Sequence, residues 1–560
     1  MPRQGLTVAA LAALLAVAAP AAAAPPDAST PVPKLVLLLA IDQLRADRIG
    51  PDLPGGLGRL VREGRVFADA ALEHSDTETC PGHTTMLTGR HPGPAGIPSN
   101  DFVDRETGES VYCVEDRADD ARLVVGSAQP KDGRSPRNIR VDALGDWLKA
   151  AHPGARVFTV SGKDRAAIAL GGRRPDGVYW FDRVSALGFT TSRYYRADLP
   201  EWARAWHAGG PPAAPTEPAF LARVPERWEH PTGSPANGAR ADDYPSESAQ
   251  YLRVSGHPVR DGDVKASIER LYYTPFLDDV TLAFTRALVR AEKVGRGPET
   301  DLLAVSLSAT DLVGHLYGPR SQEARDALQR LDEAVGALLA FLEAEVGKGR
   351  LLVALTADHG VLDLPEWLVE TGASECPLPT GRGSTKALAE GLAAAVHEAL
   401  DPPGSATAPW ILSSGYAQTV NRKLVEERHI PVSRVVEAAS AWLTSQVGVV
   451  RVFTAEEMAA GKGPAPFATL YHNSFDPERS GDFSVQTAAT CLFSPYPAGT
   501  SHGTPYLYDR AVPVVFFGPG VAPGVVRGRA ATVDIAPTLA ARLGIPVPAG
   551  LDGRALPLQP

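Results

Sequence analysis

The sequence has few cysteines, no excess of positive charge and, beyond its N-terminus, no long hydrophobic run. Only 4 of its 560 residues are cysteine, and no two of them form a short C-x-x-C pair, which argues against a cysteine-based metal site. The net charge of −10 argues against a nucleic-acid scaffold, which needs Lys and Arg to neutralise phosphates. No later segment is apolar over the length of a bilayer, so we expect no membrane span in the mature protein.

The composition is that of a globular protein with a substantial core. Hydrophobic residues make up 44% of the chain and charged residues 21%. A chain of 560 residues has room for one large domain with insertions, or for about two to four smaller domains.

Residues 1–24 have the pattern of a secretory signal peptide. Arg3 is followed by an Ala/Leu/Val run over residues 6–19 and then by small residues up to Ala24. A membrane anchor is the alternative, but the apolar run is short and Pro20 interrupts it. The cleaved bond stays open, because a cut after Ala24 would leave Pro25 next to it. We therefore expect an exported protein, either periplasmic or secreted.

Export permits disulfide bonds, and four cysteines allow three pairings. Sequence proximity favours Cys80–Cys113 and Cys376–Cys491. Buried free thiols are the alternative.

Several short apolar runs lie directly beside residues whose side chains could bind a metal ion or take part in catalysis. Continuous apolar runs predict strands buried on both faces, as in a parallel α/β sheet. The runs are residues 35–41, 156–160, 302–307, 351–356 and 512–517. Helical patterns such as residues 324–345 lie between them. We predict an α/β fold with a mainly parallel central sheet flanked by helices, and ligands beyond the carboxyl ends of its strands.

Two stretches have the composition of loop-rich or α+β cap regions inserted into one catalytic domain over residues 33–560. The first, at about 174–298, is rich in Trp, Tyr, Pro and Gly, with a loop-like centre at 209–237. The second, at about 362–497, contains helical patterns at 386–400 and 433–445. Loop-rich additions over the active face of a rigid core commonly set specificity.

Six Asp and His residues are candidate metal ligands: Asp42, Asp311, His315, Asp358, His359 and His502. Asp311 and His315 are four residues apart, a spacing that places both on one helical face. Asp358 and His359 are adjacent, so a loop after a strand is needed for both to reach one ion. Taken singly, Asp42 could equally cap a helix and His315 could be a surface histidine.

Four further residues could act on a phosphoryl group. Thr79, in ETCPGHTT, precedes a Pro-Gly turn and a helix predicted from His83, and a helix N-terminus favours phosphate through free N–H groups and the dipole. A simple capping threonine is the alternative. Lys163 and Arg165, in SGKDR, project two positive donors in one direction if extended. Without such a role, these two residues and Asn100 are polar loop residues.

Together and in this order, these motifs resemble the alkaline phosphatase superfamily, and within it the PafA-type exported bacterial alkaline phosphatases with their type I phosphodiesterase/nucleotide pyrophosphatase-like fold. The matching segments are AIDQLRAD, DTETCPGHTTMLTG, SND, SGKDR, SATDLVGH, TADHG, SHGTPYLYDRAVPVVFFGPG and VDIAPTLAARLGIP. They span nearly the whole chain after residue 33, but the two inserted stretches carry no matching motif.

The resemblance implies two zinc ions and hydrolysis of phosphate monoesters over a broad substrate range. One zinc would be held by Asp311, His315 and His502, and the other by Asp42, Asp358, His359 and the Thr79 oxygen. Thr79 would be the nucleophile that forms a phosphothreonine intermediate. Asn100, Lys163 and Arg165 would bind the non-bridging phosphoryl oxygens, and small phosphate esters would be the substrates of a protein expected to be monomeric.

Three other functions are compared with this one. A phosphodiesterase or nucleotide pyrophosphatase on the same scaffold needs room for a second ester group. The charges of Lys163 and Arg165 instead match a monoester dianion. A sulfatase needs a C-x-[PA]-x-R motif, and Cys80 is followed by Pro-Gly-His-Thr without the Arg. A non-catalytic phosphate-binding protein is hard to reconcile with a complete set of seven ligands.

Overall fold

The computed structural model describes residues 31–184, 188–208, 219–229, 257–402 and 408–560. The predicted signal peptide at 1–24 and much of the predicted loop-like centre at 209–237 lie outside these residues. None of the described helices is long and apolar enough to cross a membrane.

Short strands and helices alternate along most of the described chain. The strands are β1 (Leu35–Ile41), β2 (Arg65–Phe67), β3 (Asp101–Val103), β4 (Ser110–Tyr112), β5 (Val157–Ser161), β6 (Gly177–Asp182), β7 (Gly188–Thr190), β8 (Arg227–Trp228), β9 (His257–Pro258), β10 (Asp301–Leu307), β11 (Leu351–Thr356), β12 (Arg382–Ser384), β13 (Ile411–Ser414), β14 (Ala417–Val420), β15 (Val449–Thr454), β16 (Phe483–Thr487), β17 (Leu492–Ser494), β18 (Val515–Phe517) and β19 (Gly524–Val526).

The α-helices are α1 (Gly56–Glu63), α2 (Thr79–Thr88), α3 (Pro92–Ala95), α4 (Leu144–Ala151), α5 (Asp164–Gly171), α6 (Glu201–Ala208), α7 (Val264–Leu271), α8 (Phe276–Glu292), α9 (Ala309–Tyr317), α10 (Gln322–Val346), α11 (Pro365–Glu370), α12 (Thr385–Leu400), α13 (Arg422–Arg428), α14 (Val432–Leu443), α15 (Ala455–Ala460), α16 (Phe467–Ser474), α17 (Leu507–Arg510) and α18 (Ile535–Leu543).

Nine strands form a mostly parallel central sheet in the order β19-β2-β18-β11-β1-β10-β5-β6-β7. The neighbours from β11 through β1, β10 and β5 to β6 all pair in parallel. Strands β18 and β7 run antiparallel to their neighbours, whereas β19 pairs in parallel with β2. The predicted α/β class and mainly parallel sheet are therefore confirmed.

The central position of strand β1 in the sheet explains why its sequence is apolar at every position. Leu35, Leu37, Leu39 and Ile41 belong to a hydrophobic cluster on one face of the sheet. Val36, Leu38 and Ala40 belong to a second cluster on the opposite face. Helices cover both faces of the sheet, so the side chains on each face of a central strand are removed from water.

A smaller antiparallel sheet, which we call the cap sheet, has the strand order β13-β14-β16-β15. It packs with α12, α13 and α14 around its own core, which includes Val396, Leu424, Val435 and Phe483. This unit lies within the stretch predicted as an insertion at 362–497. The stretch predicted at 174–298 contributes β6 and β7 to the central sheet.

Both predicted disulfide bonds are present, Cys80–Cys113 and Cys376–Cys491. Two local predictions differ from the structure. The run at 512–517 forms a strand only over Val515–Phe517, because Pro513 has no N–H to donate to a ladder. The helix predicted from His83 already begins at Thr79 (α2), because proline is tolerated in the first turn, where N–H groups have no helical partner.

Candidate active site

Strand order brings the predicted site residues to one edge of the central sheet. Asp42 follows β1, and Asp358 and His359 follow its neighbour β11. Asp311 lies in α9, directly after the other neighbour, β10. Lys163 follows β5, the next strand along. Since these strands are parallel, all of these side chains lie beyond the carboxyl ends of adjacent strands.

Asp42, Asp358 and His359, which we call the inner group, are fully buried. The His359 Nε2 atom lies 3.4 Å from Asp42 Oδ1 and 3.3 Å from Asp358 Oδ2. Among the described residues, neither His359 Nε2 nor Asp42 Oδ1 has a hydrogen-bond partner. Buried polar atoms without partners are costly, so their convergence on one point indicates a place for a cation.

Asp311, His315 and His502, which we call the outer group, form a second cluster. The His315 Nε2 atom lies 3.1 Å from Asp311 Oδ1 and 3.2 Å from His502 Nε2. The His502 Nε2 atom lies 3.5 Å from Asp311 Oδ1. The predicted i, i+4 placement of Asp311 and His315 on one helical face is found in α9. The three donor atoms therefore converge as ligands of one ion would.

Backbone carbonyls orient the two outer histidines. His315 Nδ1 donates to the Thr500 carbonyl over 2.8 Å, and His502 Nδ1 donates to the Thr77 carbonyl over 2.7 Å. With Nδ1 protonated in this way, Nε2 carries the lone pair that faces the cluster. The two groups are contiguous, because the His359 and His502 rings stack with centroids 3.5 Å apart, and Asp311, His359 and His502 are themselves close enough to share an ion.

Lys163 lies between the two groups. Its ammonium is 2.6 Å from Asp42 Oδ2 in the inner group and 2.5 Å from Asp311 Oδ2 in the outer group. Burial disfavours its charge, but the Asp311 and Asp42 carboxylates raise the pKa of Lys163 above its ordinary value. The residue therefore carries a fixed positive charge at the centre of the site.

Thr79 is the first residue of α2, and Arg165 reaches it. The Arg165 Nη2 donates to Thr79 Oγ1 over 3.2 Å. Asn100 lies next to the same turn, where its Oδ1 accepts from Cys80 N at 2.8 Å and its own N–H donates to Glu78 Oε2 at 2.7 Å. The Cys80–Cys113 bond and the Cys113 N–H that donates to the Asn100 carbonyl hold this loop against α2.

Gln43 connects the inner and outer groups, and sequence reasoning did not identify it. Its backbone N–H donates to Asp358 Oδ1 at 3.1 Å, and its Nε2 donates to Asp311 Oδ1 at 2.7 Å. It has a φ of 65°, which is uncommon for a residue other than glycine. Gly314 makes room for it, because a Cβ there would lie 1.8 Å from Gln43 Oε1. Its position directly after Asp42 was the only signal in the sequence.

His83 is the second residue that sequence reasoning missed. Its Nδ1 lies 2.9 Å from the Thr79 carbonyl and 3.1 Å from Asp358 Oδ2, and its Nε2 lies 2.8 Å from Ser306 Oγ. Gly82 lets α2 approach this closely, since a Cβ there would lie 2.2 Å from the Asp358 carbonyl oxygen. Thr79 is thus held against the inner group through His83.

Burial and neighbouring charges set the protonation of the inner group. Burial, together with the charge of Asp358, raises the pKa of Asp42 well above its ordinary value. Burial acts the same way on Asp358, but His359 and His83 hold its pKa below the ordinary value. Burial lowers the pKa of His359 to about 3, so its imidazole is neutral at pH 7. Neutral His359 is in the form that binds a metal ion, whereas Asp42 binds one as the carboxylate, so a metal ion there would displace its proton.

The chain belongs to the type I phosphodiesterase / nucleotide pyrophosphatase family, whose model matches residues 36–373. That segment contains all the site residues described above except His502.

Comparison with individual relatives narrows the assignment of the chain within this family. Alkaline phosphatase PhoK of a Sphingomonas species is 33% identical over 95% of this chain and 92% of its own. Alkaline phosphatase PafA of Elizabethkingia meningoseptica is 29% identical over 94% of each chain. A crystal structure of wild-type PafA superposes with a TM-score of 0.82 at 27% identity, covering 94% of this chain and 99% of the other. The protein is an enzyme of the alkaline phosphatase type.

Proposed function

We propose that the protein hydrolyses phosphate monoesters with two zinc ions and with Thr79 as a covalent nucleophile. The observation that carries this proposal is the Thr79 hydroxyl at a helix N-terminus, beside Arg165 and held through His83 against the buried inner group. The relatives named alkaline phosphatase support the same reaction.

The side chains of both groups fit zinc. Each group offers carboxylate oxygens and at least one imidazole nitrogen, the mixture that zinc accepts. The partnerless atoms of Asp42 and His359 would gain a ligand bond in place of a missing hydrogen bond. Zinc bound at the two groups would act as a Lewis acid at the attacking and leaving oxygens.

The chain's own residues position the phosphoryl group. The Thr79 hydroxyl loses its proton as its oxygen attacks phosphorus, the bond to the leaving oxygen breaks, and the leaving group takes up one proton to depart as the alcohol. Water then attacks the phosphothreonine, which releases inorganic phosphate and restores the hydroxyl. The N-terminus of α2 and the Arg165 guanidinium favour negative charge at this point, and Asn100 lies beside it.

Lys163 and Arg165 support a preference for monoesters. A monoester dianion has three terminal oxygens, and the cationic side chains of Lys163 and Arg165 line the same cavity. A diester carries less charge and needs space for a second organic group. The main alternative is a phosphodiesterase or pyrophosphatase, the activity after which the matching family is named.

Export is part of the proposal. Residues 1–24 have the pattern of a signal peptide that directs export. The two disulfide bonds are compatible with an oxidising compartment outside the cytoplasm. We propose a periplasmic or secreted enzyme that acts as a monomer on small phosphate esters.

The test compares three substrates of the purified, zinc-loaded protein. We expect kcat/KM for an aryl phosphate to exceed that for its methyl diester and for the aryl sulfate by at least about 100-fold, or about 2.7 kcal/mol. A chelator should abolish this activity and added zinc should restore it. A preference for the diester would support the alternative, and activity unaffected by the chelator would contradict the metal assignment.

A further inference from the structure

Beside His502 of the outer group, the site opens into a groove with apolar walls. It is a cavity of about 490 Å³ between helix α12, the cap sheet, strand β17 and the loop that carries His502. Its apolar lining includes Leu388, Leu392, Leu443, Val485, Leu492 and Phe493. Leu388 and Phe493 are half-buried, so part of their surface faces the groove rather than the core.

The groove is continuous with the site. His502 of the outer group and Glu78, the residue before Thr79, both line its inner end. Tyr416 lies there as well, with its ring 3.7 Å from the point where a Cβ on Gly503 would lie. A hydrogen bond with Thr487 holds the Tyr416 hydroxyl. A molecule held at the outer group can therefore extend into the groove.

A second cavity, which Asp311 and His315 of the outer group line, differs in chemistry. It has a volume of about 440 Å³ and contacts Lys163, Arg165 and Asp311. Eight charged residues line it, whereas only Glu78 and Lys386 are charged in the lining of the apolar groove. Four of these eight residues are acidic and four are basic, and the basic Lys163 and Arg165 suit phosphoryl oxygens, whereas the mostly apolar groove suits an uncharged organic group.

We propose that the groove binds the organic group of the phosphate monoester and that the preferred substrates carry an extended apolar group, such as an alkyl chain or an aromatic ring system. This inference rests on the proposed function: because Thr79 is held against the inner group, the leaving oxygen on the opposite side of phosphorus lies at the outer group. The position of Glu78 at the inner end disfavours organic groups that carry a negative charge. The cap sheet and the helices α12, α13 and α14 that pack with it, together the cap unit, then select substrates by burying their apolar groups.

The test uses ethyl, butyl and hexyl phosphate. Their leaving alcohols have nearly equal intrinsic reactivity, so a difference in kcat/KM reports binding of the chain. Each fully buried methylene is worth up to about fourfold in kcat/KM, and we expect at least a tenfold rise from ethyl to hexyl phosphate. Equal values for the three substrates would overturn the groove proposal and leave the proposed function standing. If neither these substrates nor an aryl phosphate were hydrolysed, the proposed function itself would fail.

Three substitutions on α12 locate the effect. Ala389 is exposed and lines the groove, so Ala389→Trp should fill it and reduce the hexyl-to-ethyl ratio at least threefold. Ala394 is exposed on the same helix and does not line the groove, so Ala394→Trp is the matched control and should leave the ratio unchanged. A Leu388→Glu variant, which places a charge in the groove wall, should lower the ratio as well. If the ratio were the same in all three variants and the parent enzyme, the proposal would be wrong.

Discussion

The inner and outer groups contain the same kinds of side chain but differ in how the fold holds them. Asp42, Asp358 and His359 follow two adjacent central strands and are completely buried. The outer group joins α9 to a loop near residue 502, and the His315 side chain keeps 32% of its exposure. One group is built into the rigid sheet, and the other faces the opening of the site.

This difference matches two tasks in a displacement reaction. The nucleophile must be held in one place and kept from bulk water, which suits the buried group beside Thr79. The leaving alcohol must depart and be replaced by water, which suits the accessible group beside the groove. We therefore interpret the inner group as the side of attack and the outer group as the side of departure.

Removal of the proposed nucleophile, Thr79, should have the largest effect. We expect Thr79→Ala to lower kcat/KM for an aryl phosphate by at least about 10⁴-fold, the scale seen when a covalent nucleophile is lost. Zinc content should stay the same, because three inner ligands remain. Thr79→Ser is the matched control, since it keeps a hydroxyl at the same position and should retain much more activity. Near-normal turnover in the alanine variant would exclude Thr79 as the nucleophile.

Ligand removal tests the comparison between the groups directly. We expect His359→Ala to lower kcat/KM about 10³-fold or more, because a zinc ligand contributes several kcal/mol to the transition state. The activity should not recover in excess zinc, since the site is closed by protein. His315→Ala should lose less, and added zinc should restore part of the loss because water can complete the accessible site.

Zinc per chain and kcat/KM should be measured for both variants, together with their melting temperatures. Equal losses and equal rescue in the two variants would show that burial does not distinguish the groups.

Loss of the Gln43 side chain should have a smaller effect that acts through the outer group, because the bond to Asp358 comes from the backbone. Replacing it by leucine keeps a similar volume but removes the side-chain bond to Asp311. Residues that orient ligands in this way usually contribute about 10- to 100-fold in metal affinity or activity, and we expect Gln43→Leu to fall in that range. Gln446→Leu, a change in the cap unit, is the control. A loss smaller than twofold in the Gln43 variant would contradict its positioning role.

Local patterns in the sequence were sufficient for much of the fold. The strand at residues 35–41 and the strand at 351–356 have the bounds that their apolar runs predicted. The helix predicted at 324–345 is Gln322–Val346. These elements are encoded locally, because continuous burial selects apolar residues and helical periodicity is visible within a few turns. The predicted site residues also meet in one place, although their individual roles remain predictions.

Non-local features could not be read in the same way. The ammonium of Lys163 contacts Asp42 and Asp311 only because β5, β10 and β1 are neighbours in the sheet. Gln43 and His83 have no distinctive local motif, and their roles depend on which carboxylates the fold brings to them.

The sequence by itself determined which segments are buried strands, which residues have the side chains proposed for metal binding and nucleophilic attack, and which cysteines are close enough in the chain to pair. Only the tertiary structure decided how that chemistry is divided between a closed inner group and an open outer group, and that the cap unit adds an apolar wall beside the latter. The physical reason is that burial and side-chain chemistry are properties of short segments. Distances between segments depend on strand order and packing across hundreds of residues.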